Sequence, residues 1–89
     1  MRYEWNPTKR ASNLAKHGIE FEATDDFEWD TALIEADIRR DYGEERFRAL
    51  GLIGNRVHVL IYPPRGASRW IISLRKANLK EAVYYATRD

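Results

Sequence analysis

Residues 46–62 read Arg46-Phe47-Arg48-Ala49-Leu50-Gly51-Leu52-Ile53-Gly54-Asn55-Arg56-Val57-His58-Val59-Leu60-Ile61-Tyr62. Two strand-like runs, Arg46 to Ile53 and Arg56 to Tyr62, flank Gly54-Asn55. A two-residue loop of this composition is a strong hairpin signal, because such turns demand positive φ. So short a loop also fixes register. Ile53 opposes Arg56, and counting outward puts Phe47, Ala49, Gly51, His58, Leu60 and Tyr62 on one face. Arg46, Arg48, Leu50, Leu52, Val57, Val59 and Ile61 fall on the other. Both faces carry apolar residues, so the sheet calls for cover on one side and partial cover on the other.

Upstream of the hairpin, Asn6-Pro7 is a helix start, with Asn as cap and Pro at the first helical position; Ala11, Leu14 and Ala15 follow at helical spacing. Gly18 is a natural stop, which predicts a helix over 7–17. Glu20 to Trp29 places Phe21, Ala23 and Phe27 among acids and predicts a second, short acidic helix. Residues 32–37 read as a first strand, and Arg39 to Glu44 as a charged loop.

Downstream, Pro63-Pro64 breaks the ladder pattern and opens a loop that runs to Ser68. Arg69 to Leu74 then alternates as one more strand, with Trp70, Ile72 and Leu74 on one face and Arg69, Ile71 and Ser73 on the other; Arg75 continues the second row. Asn78-Leu79-Lys80-Glu81 resembles a capping box, and Leu79, Ala82, Val83 and Ala86 recur at helical spacing, predicting a last helix over about 79–87. The expectation is an α+β fold: two N-terminal helices, an antiparallel sheet of three to four strands and a C-terminal helix.

At 89 residues the chain has room for one small domain, 1–89, whose site must lie on or beside a single core. No apolar run approaches the roughly 20 residues of a membrane-spanning helix. The chain has no cysteine, which excludes a disulfide scaffold and a thiolate metal site; with no apolar signal region at its start, a cytoplasmic location is the default expectation. The net charge of +1 conceals a division: residues 1–45 carry 6 Lys/Arg against 12 Asp/Glu, whereas residues 46–89 carry 9 against 2. Such a split suits either mutual neutralisation in the fold or a basic face aimed at phosphates.

No Gly-rich phosphate loop, paired-histidine metal motif or nucleophile elbow is present, so the candidates are cations, carboxylates and two histidines. Lys16-His17 closes the first helix, where cations favour the helix dipole; His17 is also the group best suited to move a proton near neutral pH. Glu45-Arg46 opens the hairpin, either as a surface pair or as a proton acceptor beside a phosphate ligand. Arg69, Ser73 and Arg75, with Arg65 in the loop ahead, form a row whose forked donors suit phosphate oxygens or, alternatively, the acidic half of the chain. Trp5, Trp29, Trp70, Tyr62, Tyr84 and Tyr85 suit core or edge positions and, if exposed, base stacking. His58 reads as a structural histidine.

Taken in order, Tyr3-Glu4-Trp5-Asn6-Pro7-x-Lys9, Asn13-Leu14-x-Lys16-His17-Gly18-Ile19-x-Phe21-Glu22-Ala23, Glu45-Arg46, Arg69-x-Ile71-Ile72-Ser73-x-Arg75-x-Ala77, Glu81 and Tyr85 resemble the BrnT family of toxins over nearly the whole chain. The resemblance implies a RelE-like ribonuclease of a type II toxin–antitoxin pair that cleaves RNA with no metal or other cofactor and inhibits translation. It also implies a BrnA-like antitoxin as partner, with operator DNA reached only through that antitoxin, and no membrane.

Carried over residue by residue, the resemblance puts Lys16, His17, Glu45, Arg46, Arg69, Arg75 and Tyr85 at motif positions. The expectation built on it takes His17, Glu45, Arg69 and Arg75 as catalytic and Lys16, Arg46 and Tyr85 as RNA or phosphate ligands, joined by Arg65 from the chemistry of the arginine row. In that scheme the RNA's 2′-hydroxyl attacks the neighbouring phosphate, His17 moves the proton with Glu45 as its partner, and Arg69 and Arg75 offset the developing charge. The alternative from another class is a non-catalytic module whose basic face binds nucleic acid or protein.

Overall fold

A computed structural model of the chain describes residues 2–38, 41–64 and 69–88. The hairpin dominates it. Strands β3 (Phe47–Ile53) and β4 (Arg56–Tyr62), preceded by β1 (Tyr3–Trp5) and β2 (Leu33–Ala36), pair antiparallel in the register read from the sequence, from Ile53 opposite Arg56 to Phe47 opposite Tyr62. Gly54 alone takes positive φ, 63°, in this turn, the pattern of a type II′ hairpin. β2 adds to β3 at one edge of a four-stranded antiparallel sheet.

Arg69 to Leu74 does not form one strand. It divides into β5 (Arg69–Ile71), which pairs in parallel with β1, and β6 (Ser73–Lys76), which pairs with β4 and closes the other edge of the sheet. Ile72 lies between them outside both ladders, although its N–H still donates to Ile61 O at 2.9 Å. One extra residue opposite Ile61 acts as a bulge and reverses the alternation. Ile71 and Leu74, three positions apart, therefore enter the same core, while Ile72 packs on the other side.

Each sheet face carries a core, as the mixed apolar pattern of the hairpin requires. Ala49, Leu60 and Tyr62 join Phe21, Phe27, Ile71 and Leu74 in the first cluster, covered by the segments that precede β2. Leu50, Val59 and Ile61 form the second with Ala77 and Tyr85, beneath α2 (Leu79–Thr87). Helix α1 (Pro7–His17) has the predicted bounds: the Asn6 side chain accepts from Thr8 N and Lys9 N, and Gly18 ends the helix at φ 71°. The predicted second helix is instead two 3₁₀ segments, Phe21–Asp26 and Trp29–Thr31, because Phe21, Thr24 and Phe27 turn inward at three-residue spacing.

Neither α-helix docks by the whole of its apolar stripe. In α1, Asn13 is buried while Ala11, Leu14 and Ala15 face outward. In α2, Glu81, Ala82 and Tyr85 turn inward while Leu79 and Val83 remain 81% and 51% exposed.

Candidate active site

The burial of Asn13 brings the sequence's best proton-transfer candidate to the sheet. β6 is an edge strand, and the backbone of Leu74 points away from β4, so its polar groups need a partner. The Asn13 amide supplies both bonds: Nδ2 donates to Leu74 O at 2.7 Å, and Oδ1 accepts from Leu74 N at 3.1 Å. Nδ2 also reaches Ile19 O at 3.1 Å, beyond the Gly18 stop. The last turn of α1, carrying Lys16 and His17, is thereby held against β6.

Between them lies a cleft of about 180 Å³ lined by Lys9, Ser12, Asn13, Lys16, His17, Ile72 and Ser73. Among the described residues, no carboxylate lines it. Burial, then the Lys16 ammonium and then the Arg75 guanidinium hold His17 below its ordinary value of 6.5, so its imidazole is neutral and ready to accept a proton at neutral pH. Lys16 and Ser73 line the cleft at the His17 end with an ammonium and a hydroxyl, an arrangement suited to phosphate oxygens, and Lys9 adds a second ammonium two turns back along α1.

Arg75 neighbours this cleft but is engaged. It stands opposite Val59, on the second-cluster face, and donates from Nη1 and Nη2 to the two oxygens of Glu81 at 2.7 and 2.8 Å. These bonds hold the Glu81 carboxyl down at about 2. Arg48 completes the group, 3.8 Å from Glu81 and bonded to Glu35, whose other oxygen accepts from Tyr84. Two arginines and two glutamates thus tie β2, β3, β6 and α2 together with their charges balanced.

The remaining candidates separate from His17. Because of the bulge at Ile72, Arg69 does not share a row with Ser73 and Arg75. Its guanidinium lies 4.7 Å from the Trp29 ring centroid and 4.9 Å from that of Tyr62, with Nε buried and without a hydrogen bond. Tyr62 belongs to the first cluster, on the opposite face of the sheet from Val59 and Arg75. Glu45 and Arg46 line a different cleft, of about 430 Å³, with Asp37, Asp41, Tyr42 and Glu44 beside the β2 edge, where Arg46 stacks on Tyr42 at 3.9 Å. The structure does not bring Glu45 to His17: they line different clefts, and a strand order of β2-β3-β4-β6 puts two strands between their edges.

Tyr85 is buried in the second cluster, with its hydroxyl 3.3 Å from Thr31 Oγ1 and Arg88 over its ring, which places it in the core and away from the His17 cleft lining. His58 is the structural histidine its strand suggested, buried, with Nδ1–H donating to Arg56 O at 2.8 Å. Arg65 lies outside the described residues.

Sequence reasoning gave no role to Ser12 or Arg48 and saw Lys9, Asn13 and Glu81 only as motif or cap positions. The available signal was the spacing of Lys9, Asn13 and Lys16, which repeats along one helix face. Among the described residues, no three or more His, Cys, Asp or Glu side chains converge on a common point to hold a metal, and no helix is long and apolar enough to cross a membrane.

A family model described as the ribonuclease toxin, BrnT, of a type II toxin–antitoxin system matches residues 5–81. The match spans α1, all of the four-stranded sheet and the start of α2. The comparison with curated proteins finds no match.

Proposed function

The chain belongs to the BrnT family of ribonuclease toxins of type II toxin–antitoxin systems, and from that membership we propose that the cleft between α1 and β6 cleaves RNA by transfer of a phosphoryl group to the RNA's own 2′-hydroxyl. The observation that carries this reading is a neutral-leaning histidine with the Lys16 ammonium and the Ser73 hydroxyl at one end of a cleft that no carboxylate lines among the described residues.

His17 takes the proton of the 2′-hydroxyl as its oxygen bonds to phosphorus. The resulting imidazolium returns that proton to the 5′-oxygen as the P–O5′ bond breaks, leaving a 2′,3′-cyclic phosphate and a 5′-hydroxyl. Lys16 and Ser73 hold the non-bridging oxygens where negative charge accumulates. Arg75, already neutralised by Glu81, acts by keeping His17 deprotonated. Every step uses this chain's own side chains, so cleavage proceeds without a metal.

The frame would then be RelE-like, and the protein partner a BrnA-like antitoxin whose DNA-binding part represses the operon. Sequencing of the neighbouring DNA tests that part: a short reading frame encoding a small DNA-binding protein would support it, and none there would count against it. For the chemistry, purified protein is incubated with RNA in excess EDTA and the new ends are identified. Cyclic phosphate ends that vanish with His17→Ala, while its circular dichroism matches the parent's, support the reading. Binding that weakens with salt, with no scission by the parent, assigns the cleft instead to a binding module.

A further inference from the structure

We propose that Lys9, together with Ser12, forms a second phosphate subsite, so that the cleft holds two phosphates of one single-stranded RNA rather than one. The inference rests on the reading of the His17 end as the reacting site and adds the direction in which the strand leaves it.

Lys9, Ser12 and Lys16 line the same cleft. On a helix, positions three, four and seven apart share a face, and seven residues advance about 10 Å along the axis, so Lys9 stands two turns behind Lys16. Cations so spaced serve successive phosphates of an extended strand more readily than the oxygens of a single one. The strand would therefore lie along α1, with its scissile phosphate at Lys16 and His17 and the next phosphates toward Lys9.

The ion pairs distinguish these cations from their neighbours. Arg10, one residue on, gives its guanidinium to Glu22 at 2.8 Å and lies 3.7 Å from Glu20. Arg75 is held by Glu81 and Arg48 by Glu35 and Glu81. Lys9 and Lys16 enter no ion pair with any described residue, so both charges remain available.

Helix stability does not account for Lys9 either. It sits in the first turn of α1, where a cation opposes the dipole, and no acid stands there to offset it. Among the described residues, Ser12 adds a hydroxyl whose one hydrogen bond is a long one, 3.4 Å, to Lys9 O, which a phosphate oxygen readily displaces.

The test compares a dinucleoside monophosphate, which has only the scissile phosphate, with a tetranucleotide, using parent, Lys9→Gln and Lys16→Gln proteins. The expected Lys9→Gln penalty is a several-fold rise in KM on the tetranucleotide with kcat little changed. The salt slope should become shallower by about 0.7, the share of one phosphate on a single strand. The penalty should shrink to near unity on the dinucleoside, whereas Lys16→Gln impairs both substrates. Equal penalties for Lys9→Gln on both substrates, or none on either, overturn the proposal.

A parallel binding arm uses fluorescence anisotropy with the same two ligands carrying 2′-deoxyribose, which cannot be cleaved. A Lys9-dependent affinity for the longer ligand alone supports the subsite even if the parent cleaves neither RNA, an outcome that would sink only the catalytic reading.

Discussion

Asn13 and Leu74, 61 positions apart, are joined by two hydrogen bonds that mimic a missing neighbouring strand, with 2.7 Å from the amide nitrogen to Leu74 O and 3.1 Å from Leu74 N to the amide oxygen. The same residue that closes the sheet edge therefore sets where His17 stands. Asn13→Ala leaves both backbone groups without their side-chain partner and is expected to cost about 2–6 kcal/mol, since each unmet buried group costs about 1–3 kcal/mol. Urea titration measures this. Cleavage by the fraction that remains folded should fall further, because α1 loses its anchor one turn before His17. A stability loss under about 0.5 kcal/mol would show that water or a shifted helix replaces the amide at no cost.

Gly51 owes its place to Phe27. A Cβ built on Gly51 would stand 2.5 Å from Phe27 Cζ and 3.0 Å from its two Cε atoms, so the ring lies directly on the strand. Phe27 is also bridged to Ile53, and Glu28 N donates to Leu52 O at 2.9 Å, so the ring cannot withdraw without breaking backbone contacts. Gly51→Ala is expected to destabilise by about 1–3 kcal/mol, the usual range for overpacking. Thermal unfolding checks it, and adding Phe27→Leu should recover part of the loss. An unchanged Tm for Gly51→Ala would mean the contact is slack.

The parts of this fold that were readable are those governed by local rules. A two-residue loop determined every pair of the β3–β4 ladder, and Asn6-Pro7, Gly18 and the Asn78–Glu81 capping box bounded both helices. Long-range demands were not readable. β1 is three residues whose parallel partner lies beyond residue 68, and nothing local marks it. The bulge at Ile72 is invisible to a pattern of alternation, which is why Arg69 was grouped with Ser73 and Arg75. The docking faces of the helices do not follow from apolar spacing, because Asn13 and Glu81 turn inward to bond Leu74 and Arg75 while Leu14 and Leu79 stay exposed. For the site, His17 and Lys16 followed from residue chemistry, whereas their meeting with Ser73 depends on Asn13, a contact no periodicity encodes.

Separation of Arg69 from the cleft gives a direct contrast. Its guanidinium packs on Trp29 and Tyr62, so Arg69→Ala removes aromatic contact and lowers stability by about 1 kcal/mol or more. Assayed where the variant is fully folded, it should retain RNA cleavage within a few-fold of the parent. His17→Ala should lose roughly 10²–10⁴-fold, the scale of a proton-transfer group. Gel-based cleavage rates with circular dichroism as a folding control decide it. Comparable losses for the two variants would return Arg69 to the reacting site.

The pH dependence tests how the charges around His17 are arranged. Burial, Lys16 and Arg75 all favour the neutral imidazole, so the acid limb of kcat/KM is expected below pH 6.5, with activity falling as pH drops through the folded value and His17 gains its proton. Removing a repelling cation with Lys16→Gln should move the limb upward. Glu81→Gln should move it downward, because the carboxylate that offsets Arg75 and Arg48 is gone and their full charge then opposes protonation of His17. The same substitution removes a group whose folded value, about 2, lies below its ordinary 4.5. Its contribution to stability is present above about pH 4.5 and fades as pH falls toward 2, so the stability gap between parent and variant should narrow over that window. Profiles in which both substitutions leave the acid limb unmoved would mean that the titrating base is not His17.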